Sequence, residues 1–219
     1  AKAFMSAAEL SAQAFKETLK VLPKNCSKEL IDTVLCGISV PDWNIPANAS
    51  HIAAELKITN AVCFDVNSAC SSFVTNLHTA RHLGASLQHR HMLICNPERY
   101  TLSLDFNDKK SCILFGDAAT TCYVTTEDNV PGLKVLDTIV ESDPVGYEHV
   151  KIPVDGYFFQ NGSAVQKFAI TKTIMATQNL LERNNLARSD VGFFIGHQAN
   201  LRMLKAAYKK LEFSNATHL

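Results

Sequence analysis

Apolar residues recur along this chain in two alternating rhythms. Ala8, Ala12, Phe15 and Leu19 fall at steps of four, three and four, the spacing of one helix face. Ser6 and Glu9 have capping-box spacing at its start, and Pro23 and Asn25 end it. The apolar run IDTVLCGISV (31–40) predicts a buried strand. A Pro/Asn-rich loop, PDWNIPANAS (41–50), leads to a short helix at HIAAEL (51–56). AVCFDV (61–66) predicts a second strand, followed by a helix from about Ser71 on which Phe73, Leu77, Ala80 and Leu87 keep helical spacing. Further strands are predicted at HMLICN (91–96), at SCILFGD and ATTCYVTT around a turn at Gly116-Asp117, and at GLKVLDTIVE (132–141). After a loop-rich stretch at 143–163, a long helix over about 165–184 carries Phe168, Ile174 and Leu181. The strand VGFFIGH (191–197) leads into a last helix striped by Leu201, Leu204, Tyr208 and Leu211.

Helices alternating with continuous apolar strands predict an α/β fold whose sheet is largely buried. One phrase occurs twice: long helix, buried strand, reactive polar residue, helix. It surrounds Cys70 and again His197, which suggests an internal structural duplication without sequence identity.

Composition narrows the function. The chain has 219 residues, 47% hydrophobic and 19% charged, which suits a soluble globular protein. Its 21 basic and 21 acidic residues cancel, so neither nucleic acid nor a membrane surface is expected as a partner. No signal peptide or membrane-spanning run is expected. Seven cysteines without a CxxC pair suggest reduced thiols and a cytoplasmic protein, and no Cys/His cluster reads as a metal site.

Cys36, Cys63, Cys95, Cys112 and Cys122 lie in strand-like apolar runs and read as core thiols, while Cys26 lies in a loop. Cys70 differs. In FDVNSACSSF it follows a strand and small polar residues and precedes a periodic helix. A thiol there meets unpaired N–H groups and the positive end of the helix dipole, which predicts a thiolate nucleophile with an oxyanion donor beside it. In FFIGHQANLRMLKAA a strand delivers His197 to a turn before a helix. The other histidines read as packing or surface groups; His78, His82, His89 and His91 form a polar face. Arg202, Lys205 and Lys209 share a stripe of the last helix with Lys210 beside it. Such a stripe is an ordinary solvated face, or, beside a reactive histidine, a surface for an acidic carrier protein or a CoA phosphate.

FDVNSACSSF, GHQANLRML and LFGDAAT together resemble the β-ketoacyl-acyl carrier protein synthase III family of the thiolase superfamily, in order and in separation. The resemblance runs from the first helix to about residue 211. It implies a thiolase-like α/β fold of two duplicated halves in a layered αβαβα arrangement, here lacking terminal segments, and usually a homodimer. Residues 1–150 would form the N-terminal half with the nucleophilic cysteine. Residues 151–219 would begin the C-terminal half with the catalytic histidine.

The resemblance makes Cys70 the acyl acceptor and His197 a promoter of decarboxylation. Asn200 falls at a position for the CoA or pantetheine arm, Arg202 at carrier-protein docking, and Ile45 at the end of the acyl pocket across the dimer. The implied reaction loads an acyl group from acyl-CoA onto Cys70. It then condenses that group with malonyl-acyl carrier protein, needing no bound cofactor or metal.

Two features depart from the family. Ser72 replaces a usual glycine, which predicts crowding at the helix start. The chain is also shorter. An opening strand and hairpin, a catalytic asparagine in a later loop and a Gly-rich oxyanion strand have no counterpart, and Asn215 comes too soon after His197 to be that asparagine. We expect omitted segments rather than a reduced protein, because losing a central strand would expose a large apolar area. The rival readings are an acyltransferase of secondary metabolism that uses a small acceptor without decarboxylation, and a non-catalytic thiolase-fold partner, which usually loses the cysteine or the histidine. A hydroxymethylglutaryl-type synthase would need a glutamate near the front, and none stands out.

Overall fold

In the computed structural model, which describes residues 5–86, 88–213 and 216–218, the first helix begins where its capping box predicts. Ser6 Oγ accepts from Glu9 N at 3.1 Å, and Glu9 Oε2 accepts from Ser6 N at 2.6 Å. The helix, α1, runs Ala7–Val21. The chain continues through β1 (Thr33–Cys36), α2 (Asn48–Glu55), β2 (Val62–Asp65), α3 (Ser72–Ala85), β3 (His91–Arg99) and β4 (Asp117–Thr125). These elements belong to the first of two compact units, which extends to Ser103 and resumes over Phe115–Val135.

The sheet order is β2-β1-β3-β4. β1 runs parallel to both neighbours, pairing Cys36 with Asp65 and with Cys95, and β3 runs antiparallel to β4. Both faces of the central strands are covered. Val34, Cys36, Leu93 and Cys95 pack with Ala8 and Phe15 of α1 and Ala49 and Ile52 of α2. Leu35, Met92 and Ile94 pack with Leu77, Ala80 and Leu83 of α3. This two-sided burial explains why β1 and β3 read as unbroken apolar runs rather than alternating ones.

The second unit takes Leu104–Leu114 and the chain from Leu136 onward. It contains β5 (Val150–Lys151) paired antiparallel with β6 (Phe159–Gln160), then α4 (Gly162–Arg183), β7 (Phe193–Phe194), α5 (Leu201–Leu211) and β8 (Thr217–His218), which pairs parallel with β7. Asn161 caps α4 through Ala164 N. Phe194, Tyr208 and Phe213 form an aromatic cluster with ring centroids 5.7–6.1 Å apart.

Several elements differ from the sequence reading. SCILFGD is not a strand. Asp108 accepts from Lys110 N and Ser111 Oγ, and Cys112 N donates to Asp108 O, so local side-chain bonds turn this backbone before it can join a ladder. Residues 132–141 form no strand, and Leu133 and Leu136 lie exposed. The strand at 191–197 shortens to two residues, and Phe168 on α4 is exposed. Cys36 and Cys95 are buried core thiols as expected, Cys26 is buried too, and Cys63, Cys112 and Cys122 are partly buried. Leu87 and Asn215 lie outside the described residues.

One buried ion pair ties α1 to the sheet. Asp42, 5% exposed, accepts from Ala7 N at 3.0 and 3.2 Å and pairs with Arg99 at the end of β3. Arg99 also donates to Met5 O. Removing the carboxylate strands a buried guanidinium and an unpaired helix N–H. Asp42→Ala is therefore expected to cost about 3 kcal/mol in urea unfolding; a loss under about 0.5 kcal/mol, the range of ordinary surface substitutions, would contradict this.

Candidate active site

β2 ends at Asp65, and its carboxylate turns back to α2. It accepts from Asn48 N at 2.8 Å, Asn48 Nδ2 at 3.1 Å and Ala49 N at 2.8 Å. The acid of FDVNSAC is thus a helix cap, which leaves the residues after it free to turn. Asn67 Oδ1 accepts from Ala69 N, and Ser71 Oγ donates to Ser68 O. Ala69 takes a left-handed φ of 49°, a strained step for a residue with a Cβ. Cys70 follows in a short helical turn, Ala69–Ser71, as an exposed residue. α3 starts directly behind it, and Ser71 at its N-cap makes no side-chain capping bond.

Ser72 builds this turn from below. It is 2% exposed, and its Oγ accepts from Ser68 N at 2.9 Å. Ser68 Oγ in turn meets Thr75 Oγ1 at 2.7 Å. The crowding expected at Ser72 is relieved at Gly37, just past β1, where a Cβ would lie 2.4 Å from Ser72 Cβ. The substitution at Ser72 therefore adds a hydrogen bond to the turn, with a glycine opposite to receive it.

The expected thiolate is not what this turn produces. The Cys70 pKa is raised, first by desolvation and then by the charge of Glu98 on β3, with only a bond to its own backbone opposing them. Cys70 rests as a neutral thiol at pH 7. The helix N-terminus, weighed alone in the sequence, is outweighed first by desolvation and only then by the charge of Glu98.

His197 stands in the second unit, three residues past β7, on an exposed turn. Desolvation lowers its pKa, so the imidazole is neutral at pH 7. Gly196 before it packs against Leu204 of α5, whose Cδ2 would lie 2.3 Å from an added Cβ. Asn200 is the N-cap of α5, its Oδ1 accepting from Arg202 N at 2.9 Å and Met203 N at 3.4 Å. That role was missed in the sequence, although an asparagine before a periodic helix is its usual signal. Arg202, Lys205, Lys209 and Lys210 all lie exposed, with no ion pair among the described residues. Ile45 is 85% exposed in the loop before Pro46.

His78 and His82 stack one helical turn apart, His89 meets Thr33 and His91 meets Tyr123. Among the described residues no group of three His, Cys, Asp or Glu is arranged to hold a metal ion, and no helix is long and apolar enough to cross a membrane.

Residues 64–144 match a sequence model of the family described as 3-oxoacyl-[acyl-carrier-protein (ACP)] synthase III. The β-ketoacyl-[acyl-carrier-protein] synthase III of Phocaeicola vulgatus is 30% identical over 220 residues, covering 92% of this chain and 65% of the relative. That of Aliarcobacter butzleri is 32% identical over 205 residues, covering 86% and 61%. The crystal structure of 3-oxoacyl-[acyl-carrier-protein] synthase III from Aquifex aeolicus superposes with a TM-score of 0.90 at 26% identity, covering 98% of this chain and 69% of that one. The chain thus spans less than two thirds of the length of these two curated relatives.

The contact under the turn is open to test. Gly37→Ala drives a methyl into Ser72 Cβ, which the helix backbone holds in place. We expect a loss of about 1–3 kcal/mol in urea unfolding, typical of overpacking. Unchanged stability would show that Ser72 and Gly37 are not in contact.

Proposed function

We propose that this chain, which by sequence and fold belongs with the 3-oxoacyl-[acyl-carrier-protein] synthase III family, serves a condensing acyltransferase that moves an acyl group from acyl-CoA through Cys70 to malonyl-acyl carrier protein. The observation that carries the reading is the Cys70 turn: an exposed cysteine after a left-handed step, at the start of α3, where no side chain caps the helix.

The reaction has two halves. In the first, Cys70 Sγ bonds to the acyl carbon, the CoA thioester breaks, and the thiol proton leaves with the CoA sulfur. The N–H groups of the first turn of α3, which no side chain caps, suit the oxyanion of that step. In the second, the malonyl unit loses CO2 and its α-carbon attacks the Cys70 thioester. Sγ is expelled and takes up a proton, leaving a β-ketoacyl thioester on the carrier. Ping-pong kinetics follow. His197 serves this second half: a neutral imidazole donates an N–H to the enolate oxygen without first having to lose a proton.

The remaining assignments belong to the same proposal. Asn200 uses its Oδ1 for capping, so its Nδ2 is the atom for the CoA or pantetheine arm. Arg202, Lys205, Lys209 and Lys210 offer an exposed basic surface to an acidic carrier protein. Ile45, on an exposed loop tip, suits a homodimer contact at the acyl pocket. Residues 1–150 hold the nucleophile half and 151–219 begin the histidine half. Acyl-CoA is a substrate rather than a bound cofactor, and reduced thiols suit the cytoplasm.

His197→Ala separates the two halves. It is expected to leave acyl loading of Cys70 intact and to slow CO2 release from malonyl-acyl carrier protein by roughly 10²–10³-fold. Loading is read by intact mass and CO2 release on the same preparation. A wild-type protein that loads acyl groups but releases no CO2 would replace this reading with acyl transfer to a small acceptor.

A further inference from the structure

His78 and His82 on α3 take no part in the reaction above. They lie one helical turn apart in HTARH, so they share a face of the helix. Ala80 and Gly84, the buried residues of this segment, stand roughly 200° round the helix from them. Ala80 packs against the sheet together with Leu77 and Leu83, which holds the backbone beneath the pair. The pair itself is on the outer side, His82 exposed and His78 half-buried.

The two rings lie 4.3 Å apart, centroid to centroid, tilted by 44°. His82 Nδ1 is 2.8 Å from His78 O. A carbonyl oxygen only accepts, so this Nδ1 carries a proton, and the lone pair of the neutral ring is on Nε2. A metal-binding imidazole usually gives its other ring N–H to such a partner, which fixes both tautomer and orientation. The other two histidines of this stretch are engaged elsewhere, His89 with Thr33 and His91 with Tyr123.

We propose that His78 and His82 form a two-imidazole site for a divalent transition-metal ion, with water completing its coordination. The site is independent of the reading of Cys70. Imidazole donors select Cu2+, Ni2+ and Zn2+ over Mg2+ and Ca2+, which seek oxygen. Among the described residues no third His, Cys, Asp or Glu joins the pair. The site holds an ion rather than hydrolysing with it. Where a helical zinc-protease motif has a glutamate directly after its first histidine, this chain has Thr79, whose Oγ1 donates to Thr75 O at 2.9 Å. An ion gripped one turn apart braces the helix between its ligands, and α3 is the helix on which the Cys70 turn stands.

The test is calorimetric titration of the untagged full chain with Ni2+. Binding of one ion per chain is expected. His78→Gln and His82→Gln are each expected to weaken it by about tenfold or more, since a lone imidazole loses the second, intramolecular contact. His82 is exposed, so its replacement leaves the core untouched and decides the matter should His78→Gln fail to fold. His149→Gln, on an exposed turn, is expected to bind as the wild type does. Saturating Ni2+ is expected to raise the urea midpoint of the wild type and of neither pair variant, because only the folded helix brings the two rings together. Co2+ in place of Ni2+ identifies the ligands: thiolate gives an intense sulfur-to-metal charge-transfer band, and imidazole with water does not. No binding, binding that neither substitution weakens, or a thiolate band would overturn the inference.

Discussion

The Cys70 turn depends on one close approach, that of Gly37 to Ser72. A side chain at 37 would collide with the first turn of α3, so the end of β1 and the start of α3 meet only because a glycine stands there. That meeting buries Ser72, places its hydroxyl under Ser68 N, and leaves Cys70 exposed above it. It also brings the segment after β1 to β3, where Ser39 takes hold of Glu98. The sheet supplies the rigidity. With both faces of β1 and β3 covered by helices, the strand ends that carry these residues cannot shift without opening a close-packed core.

Cys70 and His197 both rest in their neutral forms, for different reasons. His197 is neutral because desolvation disfavours the imidazolium. Cys70 is neutral because desolvation and a nearby carboxylate together outweigh the N-terminal end of α3. A neutral thiol and a neutral imidazole suit a cycle that begins by releasing a thiol proton and later stabilises an enolate. The acids near the strand ends are engaged elsewhere: Asp65 caps α2, Asp42 pairs with Arg99, and Glu98 is held by Ser39.

Much of this was legible in the residues. The capping box at Ser6 and Glu9 involves neighbours in sequence, and the two-sided strands β1 and β3 announce themselves as unbroken apolar runs. The Cys70 and His197 segments were readable because strand, small polar residues and periodic helix follow one another directly. The failures share a cause. SCILFGD has the composition of a strand, but the bonds of Asp108 to the residues after it turn the backbone first. GLKVLDTIVE is apolar enough for a strand, yet no strand pairs with it among the described residues. The charge state of Cys70 was misjudged because desolvation in the folded turn and the charge of Glu98 on β3 arise only in the tertiary structure.

The most direct test is the intact mass of the protein after incubation with a panel of acyl-CoAs, with Cys70→Ala as control. A mass gain of one acyl group in the wild type, absent from the variant, is the expected result. It would establish the Cys70 turn as an acyl-accepting site. A folded wild-type protein that gains no mass from any donor, or a Cys70→Ala variant that loads equally well, would contradict it.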